Sequence, residues 1–263
     1  MKSAIAHNSR DAVFFAVDQL NLVFGGLHAV RDVSFSVEQG AVFAIIGPNG
    51  AGKTSVFNLI SRVFNASSGS ICIEGRDITA VPRYQVVQHG IARTYQNIEL
   101  FDRATVLDNL LVGRTRFRHG SILAQAFSMP AVGRAEEESR ARVEDIITFL
   151  DLERYRDRLV AGLPYGVRKI VELGRALATE PRLLLLDEPA SGLNEEETRK
   201  LAFWIDDIRN VLGITVIMIE HDMSLVAETA DRVLVLNQGE VLTVGTPVAV
   251  QSDERVIKAY LGA

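Results

Sequence analysis

The sequence predicts an α/β fold: a mixed sheet with a parallel core, an antiparallel β flank near the N-terminus and an inserted helical subdomain. Three observations carry that prediction. Continuous apolar runs occur at Ala41–Ile46, Leu183–Leu186 and Thr215–Ile219, each ending in glycine or in polar and charged residues. Apolar positions alternate instead at Val33, Phe35 and Val37, and again at Ile71 and Ile73. Between Phe101 and Gly162 the strand runs vanish and charged helical patterns take over.

Each pattern has a physical reading. An uninterrupted apolar run fits a strand buried on both faces, as in a parallel sheet covered by helices. Alternation fits a half-buried antiparallel strand, because successive side chains point to opposite faces. Within Arg134–Leu152 the apolar residues Val143, Ile146, Ile147 and Leu150 recur at helical spacing, while Glu136–Glu138 and Arg140 lie elsewhere, the mark of an amphipathic helix. The basic stretch Arg114, Arg116 and Arg118 is expected to be a solvated entry to this lobe. The chain divides accordingly into residues 1–95 and 166–263, two parts of one core, and residues 96–165, the helical insert.

Composition narrows the class of protein. The chain has 263 residues, enough for one large α/β domain or a domain with an inserted lobe. Hydrophobic residues make up 48% and charged residues 23%, an ordinary globular profile. A net charge of −5 speaks against nucleic-acid binding through a broad basic face. The single cysteine, Cys72, has no internal disulfide partner, which suits a reducing compartment. No stretch approaches the ~18 consecutive apolar residues of a membrane span. Met1–Ala16, with charges at Lys2, Arg10 and Asp11, does not read as a signal peptide.

The chemistry begins at Gly47-Pro48-Asn49-Gly50-Ala51-Gly52-Lys53-Thr54, followed by Ser55. The octapeptide fits G-x-x-x-x-G-K-[ST]. A buried-strand run precedes it and a helical pattern (Val56, Leu59, Ile60, Val63) follows it, the context the motif requires. Glycines let backbone N–H groups curl around phosphates without Cβ clashes, and the helix N-terminus adds partial positive charge. Lys53 is expected to reach the β- and γ-phosphates of a nucleotide and the Thr54 hydroxyl to ligate Mg²⁺.

Two further strand ends carry polar residues. Leu183–Leu186 runs into Asp187 and Glu188, and carboxylates at the C-terminal end of a parallel strand face the crevice where α/β proteins bind ligands. Asp187 is expected to hold Mg²⁺ through water, and Glu188 to polarise the attacking water as general base. His221 follows Thr215–Ile219 in the same way, where a neutral imidazole can hydrogen-bond a γ-phosphate. Its neighbour Glu220 reads as structural. No N-K-x-D guanine reader occurs in the sequence.

What selects among phosphate-loop proteins is Leu163-Pro164-Tyr165-Gly166, which opens a helical run (Ile170, Val171, Leu177) 21 residues before Asp187, counted from its glycine. Here the chain resembles ATP-binding cassette (ABC) proteins, whose Leu-Ser-Gly-Gly-Gln-like signature sits on a helix N-terminus. The resemblance extends to Gln96 in Ile91-Ala92-Arg93-Thr94-Tyr95-Gln96, to Phe24, and to Ser191-Gly192-Leu193-Asn194. It implies a P-loop NTPase (RecA-like) core and a Q-loop glutamine, Gln96, that touches Mg²⁺. It also implies an adenine-stacking Phe24, a D-loop at Ser191–Asn194 and a switch histidine, His221. Within that superfamily the chain is most similar to the ATPases of branched-chain (hydrophobic) amino acid uptake systems. The residues in common are Arg-Thr-Tyr-Gln, Pro-Tyr-Gly, Pro189-Ala190-Ser191-Gly192-Leu193-Asn194, Ile219-Glu220-His221-Asp222-Met223 and the ending Ala259-Tyr260-Leu261-Gly262. Pro164 in place of the signature hydroxyl, Val167 in place of Gln, and Asn194 in place of the commoner Asp depart from the family pattern.

The resemblance implies ATP and Mg²⁺ as cofactors. It implies integral-membrane permease subunits as partners, with an extracytoplasmic solute-binding protein acting indirectly and nucleic acid excluded. It implies a position on the cytoplasmic side of the inner (plasma) membrane. A second cassette closes the site, because a second helix N-terminus neutralises γ-phosphate charge only when two chains meet. The altered signature points to an unlike second cassette, a heterodimer, with a homodimer as the alternative. The rival reading is a non-transport cassette ATPase of the iron–sulfur assembly type.

Overall fold

In the computed structural model, which describes residues 13–117 and 130–261, the three apolar runs become the strands β3 (Val42–Ile46), β7 (Leu183–Asp187) and β8 (Thr215–Ile219), every residue of them buried. Their side chains alternate between two hydrophobic cores. Val42, Ala44, Ile46, Leu184, Leu186, Val216 and Met218 join one. Phe43, Ile45, Leu183, Leu185, Ile217 and Ile219 join the other. Each such aliphatic side chain, fully withdrawn from water, contributes about 1.5–3 kcal/mol, and polar residues stand only at strand ends, Asp187 and Thr215.

These strands sit within a six-stranded sheet of order β10-β9-β3-β8-β7-β6, in which β6 is Ile91–Arg93, β9 Arg232–Asn237 and β10 Glu240–Gly245. Strands β6, β7, β8, β3 and β9 pair in parallel, and β10 pairs antiparallel with β9. The sheet is mixed, as expected, but its antiparallel member is C-terminal. Gln238 and Gly239 join the two strands with φ of +49° and +84°, the two-residue, left-handed turn that suits a twisted hairpin.

The N-terminal antiparallel flank is a separate sheet of order β2-β1-β4-β5, with β1 Val13–Phe24, β2 Leu27–Glu38, β4 Ser68–Ile73 and β5 Arg76–Asp77. Val33, Phe35, Val37, Ile71 and Ile73 share its buried face and pack into the same core as α1 (Lys53–Ile60) and one face of the central sheet. Helices α3 (Pro130–Phe149), α4 (Tyr165–Leu177) and α5 (Glu195–Asn210) bury their apolar stripes on the other face.

Two expectations about helices are adjusted. In the first, Val143, Ile147 and Leu150 are buried as the spacing predicts but Ile146 only partly so, and the helix ends at Phe149 rather than Leu152, with Asp151 at φ +55° beyond it. In the second, Val63 does not belong to the helix after the phosphate loop. That helix ends at Ile60, and Arg62 in the left-handed region at φ +57° stops it, as a residue past a helix C-terminus commonly does.

The basic stretch is corrected outright for Arg114. That residue is buried, donates to the Glu180 carboxylate at 2.7 Å and the Ala178 carbonyl at 3.2 Å, and stacks 3.9 Å over Phe117. Arg116 donates to the Val87 carbonyl. Both arginines tie α2 (Val106–Gly113) and its continuation to the core rather than facing water, because a long apolar stem can be buried when its head finds acceptors, although Arg114 Nε is left without one. Arg118 lies outside the described residues, as do Met1–Asp11 and Gly262. Among the described residues no helix is long and apolar enough to cross a membrane.

Candidate active site

Strand β3 ends in a loop that only glycine can build. Gly47, Gly50 and Gly52 have φ of +149°, +79° and +99°. A Cβ on Gly47 would fall 2.1 Å from the Leu236 carbonyl oxygen, and one on Gly52 2.7 Å from that of Ala29. Helix α1 then opens at Lys53, with Gly52 supplying no side-chain cap, so its first N–H groups are left to an outside acceptor. The Lys53 ammonium donates to the carbonyls of Gly47 (2.7 Å) and Pro48 (3.0 Å). Burial pushes its pKa down, and the charges of Glu188 and Asp187 push back.

Asn49 to Ser55 line a cleft of about 830 Å³ together with Gln96, Glu188 and residues of the β1–β2 and β9–β10 turns, a volume suited to a small-molecule ligand. Pro48 stands at its edge through the carbonyl that holds Lys53. Phe24 is not among the lining residues. It sits at the tip of the β1–β2 hairpin, paired with Leu27 across Gly25-Gly26, half-exposed and edge-on to Phe64 at 5.2 Å. The cleft wall on that side is Gly26–Ala29.

The acidic pair divides its work. The Asp187 carboxylate is buried and paired with Arg93 at 2.7 Å. Arg93 in turn donates to Asn58 Oδ1 and Ser61 Oγ and lies over the rings of Phe57 and Tyr95. Glu188 stands at φ +48°, a conformation that costs a non-glycine residue of order 1–3 kcal/mol and persists where its surroundings enforce it. Its amide donates to the Ile219 carbonyl at 2.9 Å, and its Oε2 accepts from the Gln96 amide at 2.9 Å. His221 Nδ1 lies 4.0 Å from the same oxygen, too far for a hydrogen bond, and its ring is largely exposed. Glu220 is buried and accepts from the amides of Ala190, His221 and Asp222 at 2.7, 3.0 and 3.2 Å. Burial pushes its pKa up, and these three N–H groups oppose that shift. Its role is to join two loops.

Thr54, Gln96 and Asp187 offer oxygen donors only, which fits a hard cation such as Mg²⁺. No hydrogen bond found among the described residues uses the Thr54 hydroxyl or the Gln96 carbonyl oxygen. A full cage is not built by the protein: among the described residues no three His, Cys, Asp or Glu side chains converge on one point. Mg²⁺ characteristically completes its shell with phosphate and water.

The signature residues stand apart from this cleft, whose lining includes none of Leu163–Gly166. Leu163 is buried and Pro164 precedes α4 without a side-chain cap. A Cβ on Gly166 would meet Glu197 Oε1 at 2.3 Å, and one on Gly192 would meet the Tyr165 ring at 2.7 Å. The signature therefore packs against Ser191-Gly192-Leu193-Asn194 of its own chain. The Ser191 amide donates to the Glu188 carbonyl and that of Leu193 to the Ala190 carbonyl, while Asn194 caps α5 in a reciprocal capping box with Glu197. Asn and Asp serve nearly equally as N-caps, so Asn194 is accounted for by local structure. Val167 is half-buried against the core.

Sequence reasoning assigned no role to three groups near the site. Arg93 was visible only as part of a family-like tetrapeptide. Lys169, buried on α4, donates to the carbonyls of Glu188 (2.8 Å) and Pro189 (3.2 Å). The available signal was a lysine within the buried stripe of Gly166, Ile170 and Leu173. Tyr260, on α8 (Glu254–Leu261), has a hydroxyl whose pKa burial raises and the Gly47 backbone lowers, which brings the C-terminal helix to the phosphate loop.

Comparison with known proteins agrees with this geometry. The family model described as "ABC transporter" matches residues 30–191, and that described as "Branched-chain amino acid ATP-binding cassette transporter" matches residues 240–263. The high-affinity branched-chain amino acid transport ATP-binding protein BraF of Pseudomonas aeruginosa is 40% identical over 94% of this chain and 96% of its own length. LivG of Salmonella typhimurium, with the same description, is 38% identical over 94% and 97%. A solved ATP-binding cassette of an ABC transporter in its ADP conformation superposes with a TM-score of 0.84 at 32% identity, covering 96% of this chain and all of that one.

Proposed function

The chain belongs to the ATP-binding cassette family of transporter ATPases, and on that premise we propose that it is the ATP-hydrolysing subunit of an importer for branched-chain amino acids or related small polar solutes. The observation that carries the solute class is the match of its C-terminal 24 residues, 240–263, to the branched-chain amino acid cassette model. Relatives named for the same transport align over nearly the whole chain. No observation favours the iron–sulfur assembly alternative.

In this reading the loop Gly47–Ser55 and the α1 N-terminus hold the phosphates of ATP, with Lys53 turning from its own loop carbonyls to the β- and γ-oxygens. Phe24 contributes a face for adenine at the hairpin tip. Thr54, Gln96 and Asp187 hold Mg²⁺, which supplies charge neutralisation of the phosphates. Gln96 fixes the Glu188 carboxylate, and Glu188 takes a proton from water as the water oxygen attacks the γ-phosphorus and the bond to ADP breaks. His221, exposed and 4.0 Å from the Glu188 carboxylate, donates to the γ-phosphate.

The remoteness of Leu163–Gly166 from the chain's own cleft supports closure by a second cassette, whose signature helix brings its N-terminus to this nucleotide. Pro164 and Val167 support an unlike partner, with one composite site weaker than the other. Residues 96–165 form the lobe that passes movement from Gln96 to permease subunits, and residues 1–95 and 166–263 form the core. The relatives' transport role supports a peripheral position on the cytoplasmic side of the inner membrane.

The test is Glu188→Gln. It should leave ATP binding within about twofold in direct titration and slow hydrolysis at least ~100-fold, the usual scale for a lost general base. With permease subunits in proteoliposomes, leucine uptake should stop. Near-normal hydrolysis by this variant would refute the assignment of the base.

A further inference from the structure

One buried cation with no part in hydrolysis so far lies directly behind the general base. Lys169 is 8% exposed, yet among the described residues no carboxylate lies within ion-pair distance of its ammonium. Its hydrogen bonds run to two backbone carbonyls, those of Glu188 at 2.8 Å and Pro189 at 3.2 Å. Burying an ammonium is costly unless its donors are satisfied, and Glu220, Glu172, Glu188 and Asp187 are near enough to act on it electrostatically. A lysine serving stability alone is best placed on one of them. Here the side chain is committed to the backbone that carries Glu188.

That backbone has a reason to need it. Glu188 is held at φ +48°, a sparsely populated conformation for an L-residue that persists where the surrounding structure determines it. On one side its amide is held by the Ile219 carbonyl at 2.9 Å. On the other its carbonyl accepts from Lys169 at 2.8 Å and from the Ser191 amide at 3.1 Å. With both peptide planes fixed, so is the direction in which the carboxylate leaves the chain. The first turn of the same helix reaches the next segment as well. The Tyr165 ring lies 5.8 Å from the Lys169 ammonium and packs on Gly192 so closely that a Cβ there would fall 2.7 Å from it.

We propose that Lys169 is a positioning residue for hydrolysis, which sets the backbone of Glu188 and ties it to the N-terminus of α4. This rests on the reading of Glu188 as general base. Its consequence is that the helix end offered to a neighbouring chain's nucleotide and the base that acts on this chain's nucleotide share one rigid connection. A shift of α4 moves the Glu188 carbonyl and reorients its carboxylate, so the two composite sites of a cassette pair are coupled within each chain.

The experiment is a double-mutant cycle on the full chain, with Lys169→Met, Glu188→Gln and the pair, and Lys169→Arg as the conservative variant. Lys169→Met keeps the apolar stem and removes the hydrogen bonds. It should lower kcat about 100-fold, the cost of misplacing a reacting group by about 1 Å, while ATP affinity stays within about twofold. Lys169→Arg should recover most of the rate. In the Glu188→Gln background, Lys169→Met should change the residual rate by less than about twofold, because the group through which it acts is gone.

A structural role predicts otherwise: parallel losses of melting temperature and ATP affinity, and the same fold-loss in both backgrounds. Either result overturns the proposal, as does near-normal hydrolysis by Lys169→Met. If Glu188→Gln is inactive while Lys169→Met turns over normally, only this inference falls. If Glu188→Gln itself hydrolyses ATP normally, the general base is misassigned and both fall.

Discussion

Replacing Arg93 by methionine tests how the buried carboxylate of the site is tolerated. Arg93 and Asp187 are 6% and 5% exposed and lie 2.7 Å apart, so their pairing is shielded from solvent. Methionine fills much of the space but leaves the Asp187 charge buried without a counter-charge, which costs about 3–5 kcal/mol. The lost hydrogen bonds to Asn58 and Ser61, both 2.8 Å, add to this cost, because a charged donor is removed from two part-buried acceptors. Against a total stability of about 5–15 kcal/mol, this is a large fraction, and the melting temperature should fall on the order of 10 °C. Asp187→Asn in the same background removes the stranded charge and should restore at least about 2 kcal/mol. The assay is urea unfolding of wild type, both single variants and the double variant, in EDTA so that no metal neutralises Asp187. If the two substitutions add to within about 0.5 kcal/mol, the carboxylate was never dependent on Arg93 and the argument fails.

Gly47→Ala should be destabilising by at least about 2 kcal/mol, because the new Cβ meets the Leu236 carbonyl at 2.1 Å in a backbone conformation that L-residues avoid and a close-packed neighbour strand has no room to withdraw. A melting temperature and an ATP affinity both equal to wild type would contradict it. Glu172 carries a pH prediction. Burial pushes its pKa above 4.5, opposed by the Tyr95 amide, Arg175 and Lys169. A carboxyl whose folded pKa is raised contributes stability that is fully present below its unfolded pKa and is lost as pH rises through the folded value. Glu172→Gln does not titrate, so the melting temperature of wild type minus that of the variant should shrink as pH climbs upward from 4.5. A difference that grows with pH would contradict the assignment.

The parts of this protein that are legible in its sequence are those decided within a few residues. A strand buried on both faces must be apolar through its interior, so β3, β7 and β8 announce themselves at Val42–Ile46, Leu183–Leu186 and Val216–Ile219, with polar residues only at the ends, Asp187 and Thr215. A loop with φ of +149°, +79° and +99° at positions 47, 50 and 52 favours glycine at each, and at 47 and 52 a Cβ would also meet a backbone carbonyl oxygen. Those are local steric requirements, and composition cannot disguise them. What tertiary structure alone decides is the partner of each polar group. Arg114 and Arg116 look like surface charges in sequence, yet carbonyls 64 and 29 residues away accept their hydrogen bonds on the inner side. Asp187 finds Arg93 across 94 residues, and Lys169 finds the Glu188 carbonyl from a separate helix. Phe24 reads as a strand aromatic, but a two-glycine turn places it at a hairpin tip against Phe64. Hydrophobic burial is nearly additive along the chain and so leaves a pattern; a buried charge is stable only if a specific group from elsewhere meets it, and the sequence records that meeting in neither spacing nor composition.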